Sequence, residues 1–256
     1  MFGGRTNRVW KVLGDEGDKV LKLYRSALQN PLFRNDARLE ARCLEALDAK
    51  GFVPRLRAAG QYKLDQWVLY DHAPGTPWTQ GSKAVAKLLR HLHDMRVQIQ
   101  APPGCNGSSD LARHAQHILD LCGSDARAQI TAARPRTTVP CAADTCLIHG
   151  DPVAGNILVS DTGLTLIDWQ CPAIGDPCED IALFLSPAMQ HLYRGHPLNM
   201  AEEQEFLSGY GMPDRIARYQ ALRPWFAWRM AAYCLWRIEN GSADYKSGLA
   251  LELATL

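Results

Sequence analysis

The chain has 256 residues, 46% of them hydrophobic and 21% charged, which is enough to bury a sizeable core and excludes a disordered or collagen-like chain. With 28 Lys and Arg against 27 Asp and Glu the formal net charge is +1, so no global field draws in nucleic acid or an anionic membrane, and charge has to act locally. The opening residues lack the apolar run of a secretory signal, and the most apolar helical stretch, residues 225–238, is broken by Arg229 and Arg237. The eight cysteines form no CxxC pair and have no histidine at zinc spacing, so the chain reads as a soluble cytoplasmic protein with reduced thiols.

Residues 9–12 and 19–24 are β-prone runs separated by the turn-rich stretch 14–18, which suits a hairpin. Over 35–50 the apolar positions Leu39, Cys43, Leu44 and Leu47 recur at helical spacing, with Gly51 as the expected stop. Residues 66–70 read as a further strand, and turn chemistry over 71–77 marks the expected boundary between a first lobe, 1–73, and a second, 74–256. Helices are expected over 82–95, with an apolar stripe of Val85, Leu88, Leu89 and Leu92, and over 110–121. Residues 146–149 form a short strand, and 156–159 and 164–167 pair as a hairpin across 161–163. The remainder is helical, so the fold class is α+β: a small strand-rich lobe followed by a larger helical one.

The densest polar cluster is His149-Gly150-Asp151 with Asn156, followed by Asp168-Trp169 after the hairpin. Each acid or amide sits beside apolar strand, where an unpaired carboxylate would be costly. A metal nucleotide would account for the set. Phosphoryl transfer needs one carboxylate to orient the attacking hydroxyl and hard oxygen ligands to hold Mg²⁺ against the phosphates, and Asp151, Asn156 and Asp168 supply both.

Together with Gly175-Asp176-Pro177 and Asp180, these residues resemble the aminoglycoside phosphotransferase and choline kinase superfamily, whose fold is similar to that of protein kinases. Gly3-Gly4-Arg5-Thr6-Asn7 looks like the nucleotide loop of choline and thiamine kinases, Lys22 stands where the strand lysine should, and Glu40 fits its helix partner. The resemblance spans nearly the whole chain. It implies a bilobal kinase-like fold that binds ATP with Mg²⁺, with Asp151 as catalytic base and Asn156 and Asp168 as metal ligands. Gly3, Gly4, Thr6, Asn7, Lys22 and Glu40 would serve the nucleotide phosphates, and a hinge at Leu69 and Asp71 would meet the base. Lys19, the rival to Lys22, faces the other side of a strand of period two. Only Met1 and Phe2 precede the glycine pair, so the strand that enters such a loop is expected to be a stub.

Asp176, Pro177 and Glu179 read as a capping box, which makes Asp176 structural, while Asp180 and His149 are expected to brace the catalytic loop. His149 reads equally as a satisfied buried histidine. Gly150 stands where protein kinases carry an arginine, and only a short segment joins Asp168 to Gly175, so the acceptor is expected to be a small molecule. Trp225, Trp228 and Trp236 fall on one helical stripe that either encloses a cationic substrate or packs the core. Glu179, Glu202, Glu203 and Glu205 are the carboxylates available to an aminoglycoside. The expectation tilts towards a choline-, ethanolamine- or thiamine-like alcohol, with an aminoglycoside kinase and a nucleotide-binding pseudokinase as alternatives.

Overall fold

The computed structural model describes residues 7–25 and 30–256. The β-prone runs form β1 (Arg8–Val12) and β2 (Lys19–Tyr24), antiparallel, with Lys22 opposite Val9. β2 alternates strictly, so Val20, Lys22 and Tyr24 all turn inward while Lys19 lies at its outer end, paired with Asp71. After α1 (Ala37–Ala46) come β3 (Leu56–Tyr62) and β4 (Asp65–Asp71), and the sheet order is β1-β2-β4-β3. The helix expected over 35–50 is shorter: Asp36 caps it by accepting from the Arg38 and Leu39 amides, and the chain leaves it at Leu47, before Gly51. α1 buries Leu39, Glu40, Cys43 and Leu44, its sheet-facing side.

β3 has no counterpart in the sequence reading. It is an edge strand, mostly exposed and broken by a register shift between Leu56 and Ala58, so it lacks the alternation that marks β1 and β2.

β5 (Thr76–Pro77) leads into α2 (Ser82–Asp94), α3 (Ser108–Asp120) and α4 (Ala126–Ala132). β6 (Cys146–Ile148) precedes a 3₁₀ turn (Ala154–Asn156) and the hairpin β7 (Ile157–Ser160) and β8 (Gly163–Leu166), whose turn is Asp161-Thr162 with Gly163 already inside the strand. β9 (Ala173–Gly175), unforeseen at three residues, pairs with β6 and brings the segment after Asp168 back beside the one before Asp151. The chain closes with α5 (Cys178–Leu185), α6 (Pro187–Arg194), α7 (Met200–Tyr210), α8 (Pro213–Glu239) and α9 (Tyr245–Leu253). α8 is buried on every side over 225–235 and is the spine of the helical part, with α3, α5 and α9 packed against it. No helix among the described residues is long and apolar enough to cross a membrane.

Candidate active site

Three elements far apart in sequence converge on one ammonium. Lys22, 2% exposed on the inner face of β2, lies 2.9 Å from Glu40 Oε2 on α1 and donates to Asp168 Oδ1 in the loop after β8. Burial works against the ammonium, but the Asp168 and Glu40 carboxylates outweigh it and hold its proton more tightly than on free lysine. Burial likewise pushes Glu40 above the usual carboxylate range, with Lys22 opposing. Asp168 has φ +66°, a left-handed backbone that Asp tolerates better than most residues, and its carboxylate is partly exposed with Oδ2 unengaged among the described residues.

Asp151 sits in the loop after β6, 8% exposed. Asn156 Nδ2 donates to both its backbone oxygen (2.9 Å) and its Oδ2 (3.1 Å), so a six-residue loop is closed by one side chain. Burial, reinforced by the Asp168 charge, raises the proton affinity of Asp151.

Asp180 on α5 holds this loop from below. Its carboxylate accepts from the backbone N–H groups of His149 and Gly150, both at 2.8 Å, and from His93 Nε2 at 3.0 Å. Although burial disfavours its charge, these donors keep it ionised below the ordinary range. His149 Nδ1 accepts from the Asp151 N–H at 3.2 Å, so Nε2 carries the proton donated to the Ile167 carbonyl at 3.0 Å. Burial keeps this imidazole neutral, and it packs edge-on against Trp169 at 4.5 Å. It thereby ties the loop of Asp151 to the strand that delivers Asp168. Gly150 has φ +79°, and a Cβ there would stand 2.1 Å from the Cys171 carbonyl oxygen, so this position admits no side chain.

The donor set suits a hard divalent cation carried by a nucleotide. With Asn156 Nδ2 turned to Asp151, the Asn156 amide oxygen and Asp168 Oδ2 are left, beside Asp151 Oδ1, without a hydrogen-bond partner among the described residues, and the first two are the ones expected to meet the cation. Among the described residues no group of three or more His, Cys, Asp and Glu could hold a metal alone. Two protein oxygens completed by phosphate and water is the kind of shell Mg²⁺ accepts.

A profile of the phosphotransferase enzyme family, APH, matches residues 3–225. The chain belongs to that family. No curated protein sequence matches it. Among solved structures it is similar to a choline/ethanolamine kinase family protein from Mesorhizobium loti, at 16% identity and TM-score 0.63, over 99% of this chain and 84% of that one. The spectinomycin phosphotransferase APH(9)-Ia, solved with ADP and spectinomycin, matches at 16% identity and TM-score 0.64, over 100% and 91%. A fructosamine-3-kinase-like protein from Haemophilus somnus matches at 15% identity and TM-score 0.61, over 100% and 90%. At these identities the likeness establishes the protein-kinase-like fold of this phosphotransferase.

Other expected site residues fall elsewhere. Gly3, Gly4 and Thr6 lie outside the described residues. The Asn7 amide is engaged within the protein: its two donors go to Asn35 Oδ1 (2.7 Å) and Gln170 Oε1 (2.8 Å), and its oxygen accepts from Asn35. Leu69 is paired within the sheet to Leu21 and Ala58, and the Asp71 carboxylate is clamped by Arg57 at 2.7 Å and by Lys19, which takes that side chain, though not the backbone expected to meet a base, out of reach of a ligand. Asp176 caps the Cys178 N–H and accepts from Arg218 Nε, but Glu179 does not return to complete a capping box; it turns to Arg229.

The aromatic stripe is core. Trp228 is fully buried and donates to the Ile130 carbonyl at 2.7 Å; Trp225 donates to Thr137 O; Trp236 stacks on Tyr233. The faces of Trp225 and Trp228 are covered by Arg134, 5.9 and 5.7 Å from the ring centroids, so the protein's own guanidinium takes the place expected for a cationic substrate. The cavity beside the catalytic loop has instead a volume of about 470 Å³ and is walled by Gly150, Cys171, Phe33, His114, Glu179 and Arg229 among others. Arg229 was not among the expected site residues. Its signal was an arginine inside an otherwise apolar helical run, which demands a buried partner.

Proposed function

We propose that this phosphotransferase moves the terminal phosphoryl group of ATP to a hydroxyl of a small molecule. The observation that supports it most is the contact of Lys22 with both Glu40 and Asp168, beside an Asp151 whose loop is held by Asp180, His149 and Asn156. Lys22, oriented by Glu40, binds the phosphates. Asn156 and Asp168 hold a divalent cation, Mg²⁺ in our reading, which when bound neutralises phosphate charge. Asp151 accepts the acceptor's O–H proton as the new O–P bond forms and the bond from the terminal phosphorus to ADP breaks. Its raised proton affinity suits that role.

The narrower expectation of a choline-, ethanolamine- or thiamine-like acceptor rests on the likeness of the loop at Gly3-Gly4-Arg5-Thr6-Asn7 to that of choline and thiamine kinases and on the lack of a long acidic insertion; the aromatic stripe, the wall that could have enclosed a cation, is engaged in packing. The carboxylates considered for an aminoglycoside are engaged as well: Glu179 with Arg229, Glu202 with Arg194, Glu203 with Arg223 and Glu205 with Ser82. The hydroxyl acceptor therefore stands without either restriction.

The test is ADP release against a panel of alcohols, beside calorimetric titration of MgATP. Asp151→Asn is expected to keep nucleotide binding and lose about two to four orders of magnitude in turnover. Asp168→Ala is expected to lose Mg²⁺-dependent binding. Near-normal turnover of Asp151→Asn would remove it from the base role, and MgATP binding with no transfer to any alcohol would make the chain a pseudokinase.

A further inference from the structure

The cavity beside the catalytic loop is not built for a cation. Its two carboxylates are already satisfied within the protein. Glu179 accepts from the Cys105 N–H and from Arg229 Nη1, both at 2.7 Å, and Asp110 accepts from the Asn106 N–H and from Arg113. Three guanidinium groups, Arg34, Arg113 and Arg229, line the same space. Among the described residues Arg34 has no carboxylate partner, so the cavity carries one uncompensated positive charge.

Arg229 is only 6% exposed, yet of the five N–H donors a guanidinium offers, only those on Nη1 are engaged among the described residues, by Glu179 and by the Cys105 sulfur at 3.5 Å. A buried guanidinium with donors left over, lining a cavity, is half of a bidentate anion site. The imidazole beside it adds no competing charge. His114 Nε2 donates to the Pro31 carbonyl at 2.8 Å and Nδ1 faces Cys105 Sγ at 3.6 Å; burial, with Arg229 and Arg34 adding to it, holds its pKa at about 4. The groove that adjoins the cavity through Arg113 and His117 is of the same sign: Arg134 and Arg136 line it and have no carboxylate partner among the described residues.

We infer that the acceptor carries, besides its hydroxyl, an anionic group, a carboxylate or a phosphate ester, which seats on the unengaged donors of Arg229 with Arg34 at the mouth of the cavity. This rests on the kinase reading above. The hydroxyl then lies at the Gly150 wall of the cavity, the residue next to Asp151, while the anion is held by the guanidinium groups.

The test uses matched alcohols that differ in charge: glycerate and glycerol 3-phosphate as the carboxylate and phosphate arms, glycerol as the neutral partner, and choline and ethanolamine as cations. Binding is measured by calorimetry with a non-hydrolysable ATP analogue present, so the charge preference is read whether or not phosphate moves. At least one anionic arm should bind about tenfold or more tightly than glycerol, and the cations should bind no better than glycerol. Arg34→Gln, at an exposed position and so safe for folding, should remove about three- to tenfold of that preference, with Arg34→Lys restoring part of it and MgATP affinity unchanged. Equal binding of glycerol and both anions, tighter binding of a cation, or an anion preference untouched by Arg34→Gln would each overturn the inference. Anion binding that follows Arg34 without phosphoryl transfer would support the site and count against the kinase reading alone.

Discussion

Glu252 on α9 offers a measurable consequence of burial far from the cleft. Its carboxylate, 2% exposed, accepts from the Ser186 hydroxyl and from the Ala188 N–H at 3.2 Å, at the first turn of α6. Among the described residues the cation acting on it is Arg223, which is itself paired with Glu203, and the other titratable groups beside it are the buried Tyr219 and Cys234. Desolvation outweighs these hydrogen bonds and raises its pKa to about 7. In an unfolded chain a glutamate releases its proton near 4.3. The folded state therefore binds the extra proton between those values, and stability is full at low pH and is lost as pH rises through 7. The single group accounts for about 2.5 kcal/mol of destabilisation between pH 5 and pH 8, at about 1.4 kcal/mol for each pH unit in which only the folded state is protonated. Glu252→Gln mimics the neutral acid. Urea unfolding of both proteins from pH 5 to 8 should show the variant gaining on the parent by roughly that amount as pH rises, since all other titrations cancel in the difference. A difference that is constant with pH would refute a buried neutral Glu252.

Trp228→Leu should lower stability by about 2–4 kcal/mol through the lost packing and the lost indole hydrogen bond to the Ile130 carbonyl, and leave the ranking of acceptors unchanged; chemical denaturation beside an acceptor panel reads both. Weakened acceptor binding at undiminished stability would return the stripe to the site. Gly150→Ala should cost about 2 kcal/mol or more, because it adds a left-handed alanine to a collision with the Cys171 carbonyl, and turnover should fall with it as Asp151 is displaced. Unchanged stability would mean that the loop relaxes freely.

What could be read in the sequence was whatever repeats with a local period or stands in a fixed local order. β2 shows its inward face by alternation, which put Lys22 rather than Lys19 on the inside, and the acid–amide–acid order through a tight hairpin placed Asp151, Asn156 and Asp168 close together. The ends of α1 were less legible, because helix ends are set by which turn residue the tertiary packing selects, and Leu47 precedes Gly51 in doing so. β3 and β9 were invisible, the first being an irregular exposed edge and the second too short for any period. The cavity was the least legible part. Phe33, Cys105, His114, Glu179 and Arg229 come from five separate stretches and meet only through the packing of α3 and α5 on α8, which no window of sequence reports.

If the proposed function holds, the short triad of Lys22, Glu40 and Asp168 also sets the terms on which a nucleotide would enter. In the free protein the ammonium acts as an internal counter-ion for the aspartate, so neither charge stands bare in the cleft. On the proposed reading, a metal nucleotide would enter by an exchange of partners: Asp168 would turn from lysine to the cation and Lys22 from aspartate to phosphate, with Glu40 still beside the lysine. Such an exchange leaves the amount of buried charge nearly constant, so the affinity of this cleft for its nucleotide should depend far less on ionic strength than the charges involved would suggest.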